Sequence, residues 1–276
     1  MQTLNLRPRR SHGLQAGLAA LLLAAGSSAW ADLPDNLVVR VCDDTLEWPP
    51  FTYRKRDAAG RPGEEVVGYS IDVLRTILVR EQIDFDVKLV PWSRCLAEAR
   101  RGGTFNMLQN ASASQERSRD FWMSRPYYRL NSYYFYSRKR FPAGLDIKGL
   151  ADFKRYHVCG IHGFNYEPYG LQGDAIDQSS VSFRTLLKRI HLGSCDLFIE
   201  KIEVMQGYRS VGEPFIDDSA LAHSAVPGIG PVPFHFLVSR AYANGEALVN
   251  VLNAGIDEME RSGKLQRLWR SHVGGK

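Results

Sequence analysis

Hydrophobic residues along the first half of the chain follow a repeating order of strand and helix patterns. The predicted elements are a strand over 37–42, a helix over 70–78, a strand over 83–89, a helix over 93–101 and a strand over 105–109. In the first helix Ile71, Leu74 and Ile77 share one face, and Ser70 is the expected N-cap. Strands that alternate with helices predict a parallel sheet with ligand-binding loops at the carboxyl ends of its strands.

The same order of patterns returns in the second half. The predicted elements there are an extended aromatic run over 131–137, strands over 157–161 and 196–200, a helix over 183–190, an extended segment over 232–239, and helices over 248–259 and 265–269. The charged segment 54–65 contains glycine and is predicted to be a hairpin tip or a surface loop. The repetition predicts two α/β units.

The first 31 residues have the pattern of an export signal. Three arginines precede an apolar run over 14–25, and residues 28–31 (Ser-Ala-Trp-Ala) offer a cleavage site. We expect cleavage after Ala31, with an uncleaved anchor as the alternative. Cleavage removes three of 35 basic residues and none of the 30 acidic ones, so the net charge falls from +5 to +2. This balance does not favour a nucleic-acid partner.

Four cysteines follow the export signal: Cys42, Cys95, Cys159 and Cys195. In an exported chain an even number of cysteines favours disulfides, and four cysteines allow three pairings. Four buried free thiols are the alternative interpretation.

A polar loop over 111–128 is the most distinctive stretch of the chain. Its small residues leave backbone N–H groups uncovered, and Arg117 adds a planar guanidinium that fits a carboxylate. This loop follows the strand over 105–109, and an acidic loop with Asp43 and Asp44 follows the strand over 37–42. Both loops are therefore expected to face one crevice. A surface loop with one solvated arginine is the alternative.

Several different motifs follow one another along nearly the whole chain after residue 31. They are Val39-Arg40-Val41 with Pro49-Pro50-Phe51, the run Gly68 to Leu74, the run Ser112 to Arg117, Ser124-Arg125-Pro126-Tyr127-Tyr128, the run Leu192 to Asp196, and Gly263-Lys264-Leu265 with Trp269. In these motifs the chain resembles the periplasmic solute-binding proteins of family 3, the polar amino acid receptors of ABC importers.

The resemblance implies an α/β, two-lobed periplasmic-binding-protein fold. Each lobe would be a mostly parallel sheet flanked by helices, and two crossing strands would form the hinge. After a signal peptide over 1–31, lobe 1 would comprise 32–131 and 241–276, and lobe 2 would comprise 132–240. The lobes would close over a ligand in the cleft between them.

The resemblance also implies a ligand site on lobe 1. Arg117 falls where the family holds the α-carboxylate of its ligand, and Ser112 and Asn110 fall where members supply further polar contacts. The acidic loop would add an aromatic cover, Trp48, and a carboxylate for an ammonium group, Asp44 or Asp43.

On lobe 2 the sequence departs from the family pattern. Asn165 lies in a segment where many amino acid receptors have Ser-Thr, and Lys201 stands where many have an aspartate for the amino group. Glu200 or Glu203 would replace that aspartate if the register shifts. Otherwise Lys201 favours a ligand with an extra acid group, or one without an amine.

With these lobes, the resemblance implies the disulfides Cys42–Cys95 and Cys159–Cys195. The pattern His157-x-Cys159-x2-His162 offers metal ligands as an alternative, but it lacks a fourth ligand. No metal or other cofactor is expected.

The predicted function is a periplasmic receptor that captures a small polar solute, an amino acid or related carboxylate, for an ABC importer. The expected partners are this small-molecule ligand and a membrane permease, and the chain is expected to be a monomer. A sensory binding subunit for a membrane receptor is the first alternative. A dehydratase-like enzyme that uses Glu47, Asp44 or Glu200 as acid or base is the second, and no Ser/His/Asp or Cys/His set supports it.

Overall fold

The computed structural model describes residues 33–34 and 36–274, so the predicted export signal lies outside the described residues. The strands are β1 (Val38–Asp44), β2 (Tyr53–Arg56), β3 (Pro62–Val67), β4 (Asp84–Val90), β5 (Met107–Ala111), β6 (Phe121–Met123), β7 (Tyr128–Leu130), β8 (Ser132–Ser137), β9 (Val158–Ile161), β10 (Asp177–Ser180), β11 (Leu197–Lys201), β12 (Leu221–Ala225) and β13 (Val232–Ser239). The α-helices are α1 (Tyr69–Arg80), α2 (Trp92–Arg100), α3 (Gln115–Asp120), α4 (Phe183–Leu192), α5 (Ile202–Gly207), α6 (Gly245–Arg261) and α7 (Lys264–His272). Among these helices none has both the length and the apolar character that a bilayer crossing requires.

The first large sheet has the strand order β4-β1-β5-β13-β6, and β7 also pairs with β13. β1 runs parallel to β4 and β5, which places Val41 opposite Val87 and Met107. Val41 packs in the same cluster as residues of α1 and α6, whereas Cys42 packs with α2. Both faces of β1 are therefore covered, as its nearly continuous apolar sequence requires.

The second large sheet has the strand order β10-β9-β11-β8-β12. β9 runs parallel to β10 and β11, and β8 runs antiparallel to β11 and β12. We call the part of the chain built on the first sheet lobe 1 and the part built on the second sheet lobe 2. Each lobe thus combines a parallel core with antiparallel strands at one side.

The chain crosses between the two sheets twice. It leaves lobe 1 at Asn131, between β7 and β8, and it returns between Ala225 and Val232. β13 pairs antiparallel with β5 and β6, so it belongs to the first sheet. The sequence-based boundary of lobe 2, 132–240, therefore extends too far, because that boundary separates β13 from the strands to which it is hydrogen-bonded.

The predicted N-cap of α1 is wrong. The helix begins at Tyr69, and the main-chain N–H groups of Tyr69 and Ser70 donate to the carbonyls of Pro50 and Phe51. Gly68 precedes the helix at φ 131°, and a Cβ there would lie 2.3 Å from the Phe51 carbonyl oxygen. Ser70 is instead buried inside the helix. The neighbouring loop, rather than a side chain, caps α1.

Two further elements differ from the sequence-based prediction in their type or their bounds. The segment 54–65 forms most of the antiparallel hairpin of β2 and β3. The strand predicted over 105–109 is β5, which runs two residues further, to Ala111. This extension brings Asn110 to the end of a buried strand, where it reaches the cleft.

Both disulfides lie within single lobes. Cys42 of β1 is bonded to Cys95 of α2, and Cys159 of β9 is bonded to Cys195 just before β11. This is the pairing that the family resemblance implied. Each bond ties a strand to a neighbouring element of its own lobe, so neither crosses between the lobes.

Candidate functional site

A cavity that is partly open to solvent lies between the two lobes. The carboxyl ends of β1, β5 and β11 border it, as the parallel order of these strands predicts. Its lining residues are Asp43, Asp44, Trp48, Trp92, Asn110, Ser112, Arg117, Phe164, Asn165, Tyr166, Pro168, Tyr169, Ile199, Glu200, Lys201, Val232 and Phe234. Every ligand residue expected from the sequence except Glu203 is in this set.

Arg117 is a buried cation on the lobe 1 wall. Its side chain donates from Nη1 to the Ser112 carbonyl at 2.9 Å and from Nη2 to the Gly163 carbonyl at 3.4 Å. The guanidinium lies 5.5 Å from the Trp92 ring centre, and Arg117 is only 7% exposed. Within residues 36–274 no carboxylate forms a salt bridge with it. Among the described residues its charge is therefore not neutralised by an ion pair.

Burial lowers the pKa of Arg117 to about 10, and the charges of Glu116 and Glu167 partly oppose this shift. The side chain still carries its charge at neutral pH. Helix α3 fixes its position, because the Ser114 hydroxyl accepts from the Arg117 main-chain N–H at 3.1 Å.

Asn165 joins the two walls of the cleft. Its Nδ2 donates to the Ser112 hydroxyl at 3.1 Å and to the Ala113 carbonyl at 2.7 Å. Its Oδ1 accepts from the Glu167 main-chain N–H at 3.1 Å. Both donor hydrogens of this amide are thus used between lobes, so Asn165 acts as a clasp in this closed arrangement.

Other contacts also hold the lobes together. Trp92 of lobe 1 donates from Nε1 to the Gly163 carbonyl at 3.0 Å, and Gly163 has a positive φ of 77°. The Tyr208 hydroxyl of lobe 2 donates to the Leu46 and Glu47 carbonyls. At Gly207 an added Cβ would lie 2.2 Å from the Pro49 oxygen, so only glycine permits this approach.

Asn110 is the centre of a hydrogen-bond network beneath the cavity. Its Oδ1 accepts from the hydroxyls of Ser70, Tyr127 and Tyr128 at 2.6–3.0 Å. Its Nδ2 donates to Asp43 at 2.6 Å and to Thr52 at 2.7 Å. Every polar atom of this side chain is engaged within the protein. Asn110 therefore supports the wall of the cavity from behind.

The acidic loop supplies two buried carboxyls. Burial raises the pKa of Asp43 to about 7 and that of Asp44 to about 6, although hydrogen bonds to both groups oppose these shifts. Asp43 accepts from the Asp44 main-chain N–H at 2.8 Å as well as from Asn110. The Oδ2 atom of Asp44 is buried and has no hydrogen-bond partner in the described part of the chain.

Trp48 covers one side of the cavity. Its ring lies 5.6 Å from that of Phe164, at an edge-on angle of 77°, and 6.0 Å from that of Phe234. Its indole Nε1 is buried and has no partner among the described residues. A buried donor without a partner is uncommon in folded proteins.

The lobe 2 wall carries a second buried cation. Lys201 ends β11 and is 7% exposed, and its Nζ donates to the Ser132 hydroxyl at 2.9 Å and to the Tyr169 hydroxyl. Glu200, beside it, accepts from the Lys201 main-chain N–H at 2.7 Å. Burial raises the pKa of Glu200 to about 7, while the charge and the main-chain hydrogen bond of Lys201 act against this shift.

Two carboxylates considered from the sequence lie elsewhere. Glu203 accepts from the Asn131 side-chain amide at 2.6 Å, at the first crossing between the lobes. Glu47 forms an ion pair with Arg56 at 2.6 Å. Neither side chain lines the cavity. Neither carboxylate therefore has the position in the cavity wall that these two alternatives require.

A metal site at His157, Cys159 and His162 was the alternative, and the disulfide of Cys159 argues against it. His157, Cys159 and Asp177 lie close together, with possible ligand atoms within 4.8 Å of one another. The Cys159 sulfur, however, is bonded to Cys195, so it offers no thiolate.

Sequence reasoning identified Trp48 but missed the other aromatic side chains of the site and Pro168. Tyr166, Pro168 and Tyr169 come from the loop after β9, and Trp92 and Phe234 come from α2 and β13. The sequence did contain a signal for Tyr166, Pro168 and Tyr169. The run Phe-Asn-Tyr-Glu-Pro-Tyr follows the carboxyl end of the strand predicted over 157–161, where ligand-binding loops are expected. Phe234 had no such signal, because its strand was placed in the wrong lobe.

The sequence matches the bacterial extracellular solute-binding proteins, family 3, over residues 39–275. The chain belongs to this family of solute-binding proteins. Among curated proteins none matches it.

Several solved structures share this fold. A substrate-binding protein of an amino acid ABC transporter has 17% identity and a TM-score of 0.68, and the match covers 86% of this chain and 100% of that one. An amino acid ABC transporter substrate-binding protein from Streptococcus pneumoniae, bound to L-arginine, has 19% identity and a TM-score of 0.64, with 86% and 93% covered. A histidine kinase sensor domain has 18% identity and a TM-score of 0.68, with 87% and 97% covered. At identities this low, these structural matches establish a shared fold alone.

Proposed function

We propose that this protein captures an amino acid or a related small carboxylate in the interlobe cavity and delivers it to an ABC importer from the periplasm. Arg117 carries the proposal. It is a buried guanidinium that lines the cavity and has no carboxylate partner among the described residues. A buried charge without a partner is costly, and a ligand carboxylate would relieve that cost.

The geometry around Arg117 suits a carboxylate. One Nη1 and one Nη2 hydrogen bond go to main-chain carbonyls, so the guanidinium retains donors for a ligand. Charge-assisted hydrogen bonds of this kind contribute about 1.5–3 kcal/mol each. The α-carboxylate of a small solute is the simplest group that would complete this wall.

A ligand amine also has a place in the cavity. The buried Oδ2 of Asp44 lacks a donor, and an ammonium group would supply one. The unpartnered Nε1 of Trp48 would donate to an oxygen of the same solute. These two orphaned groups fit a small polar molecule better than an apolar one.

We favour binding over catalysis because a buried cation, Arg117, lines the cavity and accounts for capture of a carboxylate without a chemical step. The carboxyls that line the cavity are Asp43, Asp44 and Glu200, and among the described residues of the cavity wall no nucleophile with an adjacent base accompanies them. An ancestral amino acid-binding protein described as a precursor of cyclohexadienyl dehydratase shares this fold, with 15% identity and a TM-score of 0.63. The fold therefore serves binding proteins as well as precursors of enzymes, and the site decides between them.

A thermal-shift screen of the chain from residue 32 tests the proposal. The panel contains L-amino acids, small dicarboxylates and, as cations without a carboxylate, polyamines. A ligand at 100 times its dissociation constant stabilises the protein by about 2.7 kcal/mol. We expect this shift with carboxylates, and we expect Arg117→Ala to remove it.

Arg119→Ala is the matched control, because Arg119 lies on the same helix and is exposed. It should bind as the unchanged protein does. Carboxylate binding that survives Arg117→Ala would refute the assigned site.

Delivery to an importer has its own test. The liganded protein should stimulate ATP hydrolysis by an ABC importer of the same organism when both are reconstituted in membranes. Docking to a receptor kinase without such stimulation would favour the sensory role, for which a histidine kinase sensor domain of the same fold is a precedent.

A further inference from the structure

Lys201 is the second cation of the cavity wall that forms no salt bridge with the described residues. Its ammonium is buried at the end of β11, and within residues 36–274 no carboxylate oxygen forms a salt bridge with it. Its hydrogen-bond partners are two neutral hydroxyls, those of Ser132 and Tyr169. Hydroxyls orient an ammonium without neutralising it, so the positive charge persists in the cavity wall.

The cluster of Lys201, Ser132 and Tyr169 retains hydrogen-bond donors that its own members do not use. The Lys201 ammonium has three N–H donors, and two of them are used by the hydroxyls. The Ser132 and Tyr169 hydroxyls are 2.7 Å apart, so one O–H is used between them. One N–H and one O–H remain. Because Lys201 and Tyr169 both line the cavity, these donors are within reach of an acceptor there.

The charge decides which acceptor fits. A ligand ammonium placed beside Lys201 would meet a like charge in a buried site, where repulsion is poorly screened. An oxyanion would instead accept both remaining donors and neutralise the ammonium. The Lys201 side of the cavity is therefore suited to a negatively charged group.

We propose that the solute carries two acid groups, with one carboxylate held by Arg117 on lobe 1 and a second oxyanion held by Lys201 on lobe 2. This inference rests on the proposed function and names its ligand class: small dicarboxylates, with or without an amine, or their sulfonate counterparts. Such a solute matches two buried cations, one on each wall, and bridges the lobes when they are closed.

Glu200 also lines this part of the cavity and must be accommodated. Burial raises the pKa of its carboxyl to about 7. A second ligand anion nearby would favour the protonated form further. The neutral carboxyl would then donate to the ligand rather than repel it, so binding would take up a proton.

Isothermal titration with isosteric pairs tests the proposal. L-glutamate is compared with L-glutamine and L-aspartate with L-asparagine, since each pair differs in one negative charge. Glutarate tests a diacid without an amine, and L-cysteate tests a sulfonate in place of the side-chain carboxylate of aspartate. We expect at least one diacid to bind more tightly than its neutral-side-chain partner.

Lys201→Met should weaken the preferred diacid about 10- to 100-fold and leave its amide partner unchanged. Tyr169→Phe retains the ring and should produce a smaller loss in the same direction. Lys188→Met, at an exposed lysine of lobe 2, is the matched control and should have no effect. A thermal melt of each variant confirms that it is folded.

The outcomes separate the two proposals. If carboxylates bind through Arg117 but amides bind as tightly as diacids, or if Lys201→Met leaves that preference intact, the second-anion site is refuted and the proposed function stands. If no carboxylate in the panel binds at all, the proposed function fails and this inference fails with it.

Discussion

The two walls of the cleft each present one buried cation, but they hold it in different ways. On lobe 2, Lys201 is held by Ser132 and Tyr169, which belong to the same lobe. On lobe 1, Arg117 is held by the Ser112 carbonyl of its own lobe and by the Gly163 carbonyl of the opposite lobe. The Lys201 cluster can therefore form in lobe 2 alone, whereas the surroundings of Arg117 are complete only when the lobes meet.

This difference bears on how binding is coupled to closure. A ligand changes a conformational equilibrium only if it binds one state better than the other. Contacts to the Lys201 cluster are available in either state, but Trp92, Arg117 and Asn165 all bond across the cleft in the closed one. We therefore expect lobe 1 contacts to carry most of the preference for the closed state.

The largest expected effect is on the free energy of unfolding when the disulfide of either lobe is removed. Comparing the two disulfides shows how strongly each lobe depends on its own. The sequence separations are 53 residues for Cys42–Cys95 and 36 for Cys159–Cys195. Because loop-closure entropy depends only weakly on length, replacing either pair by alanines should lower the free energy of unfolding by about 4 kcal/mol. Urea denaturation of each double variant measures this. A difference between the two pairs of more than about 2 kcal/mol would show that the lobes depend on them unequally.

A smaller effect concerns the buried acids. The pKa of Glu200 is about 7 in the folded protein and 4.5 in its reference state, so the folded state binds this proton more tightly. The stabilisation is fully present below pH 4.5 and is lost as the pH rises toward 7. Glu200→Gln should remove this dependence, and above pH 7 it should increase the free energy of unfolding by roughly 3 kcal/mol relative to the unchanged protein.

Urea denaturation of both proteins at pH 5 and pH 8 measures the change. Glu64→Gln, at an exposed carboxyl of the β2–β3 hairpin, is the control and should have no such effect. Part of the pH dependence of the free energy of unfolding should remain in Glu200→Gln, because burial also raises the pKa values of Asp43 and Asp44 in lobe 1. Equal pH slopes for Glu200→Gln and the unchanged protein would contradict the role assigned to Glu200.

The smallest expected effect tests the clasp between the walls. Asn165→Ala removes two hydrogen bonds that exist only when the lobes are closed, so ligand affinity should fall by about 1 kcal/mol, or about fivefold. Isothermal titration gives the affinity, and solution scattering gives the fraction of closed molecules. Asn250→Ala, at an exposed position of α6, should change neither. An unchanged affinity for Asn165→Ala would mean that the clasp does not favour closure.

Sequence patterns predicted the elements well because periodicity is local. The helical stripe of α1 and the nearly continuous apolar sequence of β1 are visible within a few residues. The carboxyl-end rule then brought the loops of Asp44 and Arg117 to one crevice. Sheet membership of β13 was not visible in this way, since its partners β5 and β6 lie more than 100 residues earlier.

The amino-acid sequence by itself determined the export pattern, the α/β class and the residue types of the cleft. Only the tertiary structure decided which of their polar atoms are already used. The sequence predicted both Asn110 and Arg117 as ligand contacts. The side chain of Asn110 is fully hydrogen-bonded within the protein, whereas Arg117 forms no salt bridge with the described residues. The physical reason is that hydrogen-bond partners come from distant segments, such as Tyr127 for Asn110 and Gly163 for Arg117, whereas residue type and periodicity are properties of neighbours in the chain.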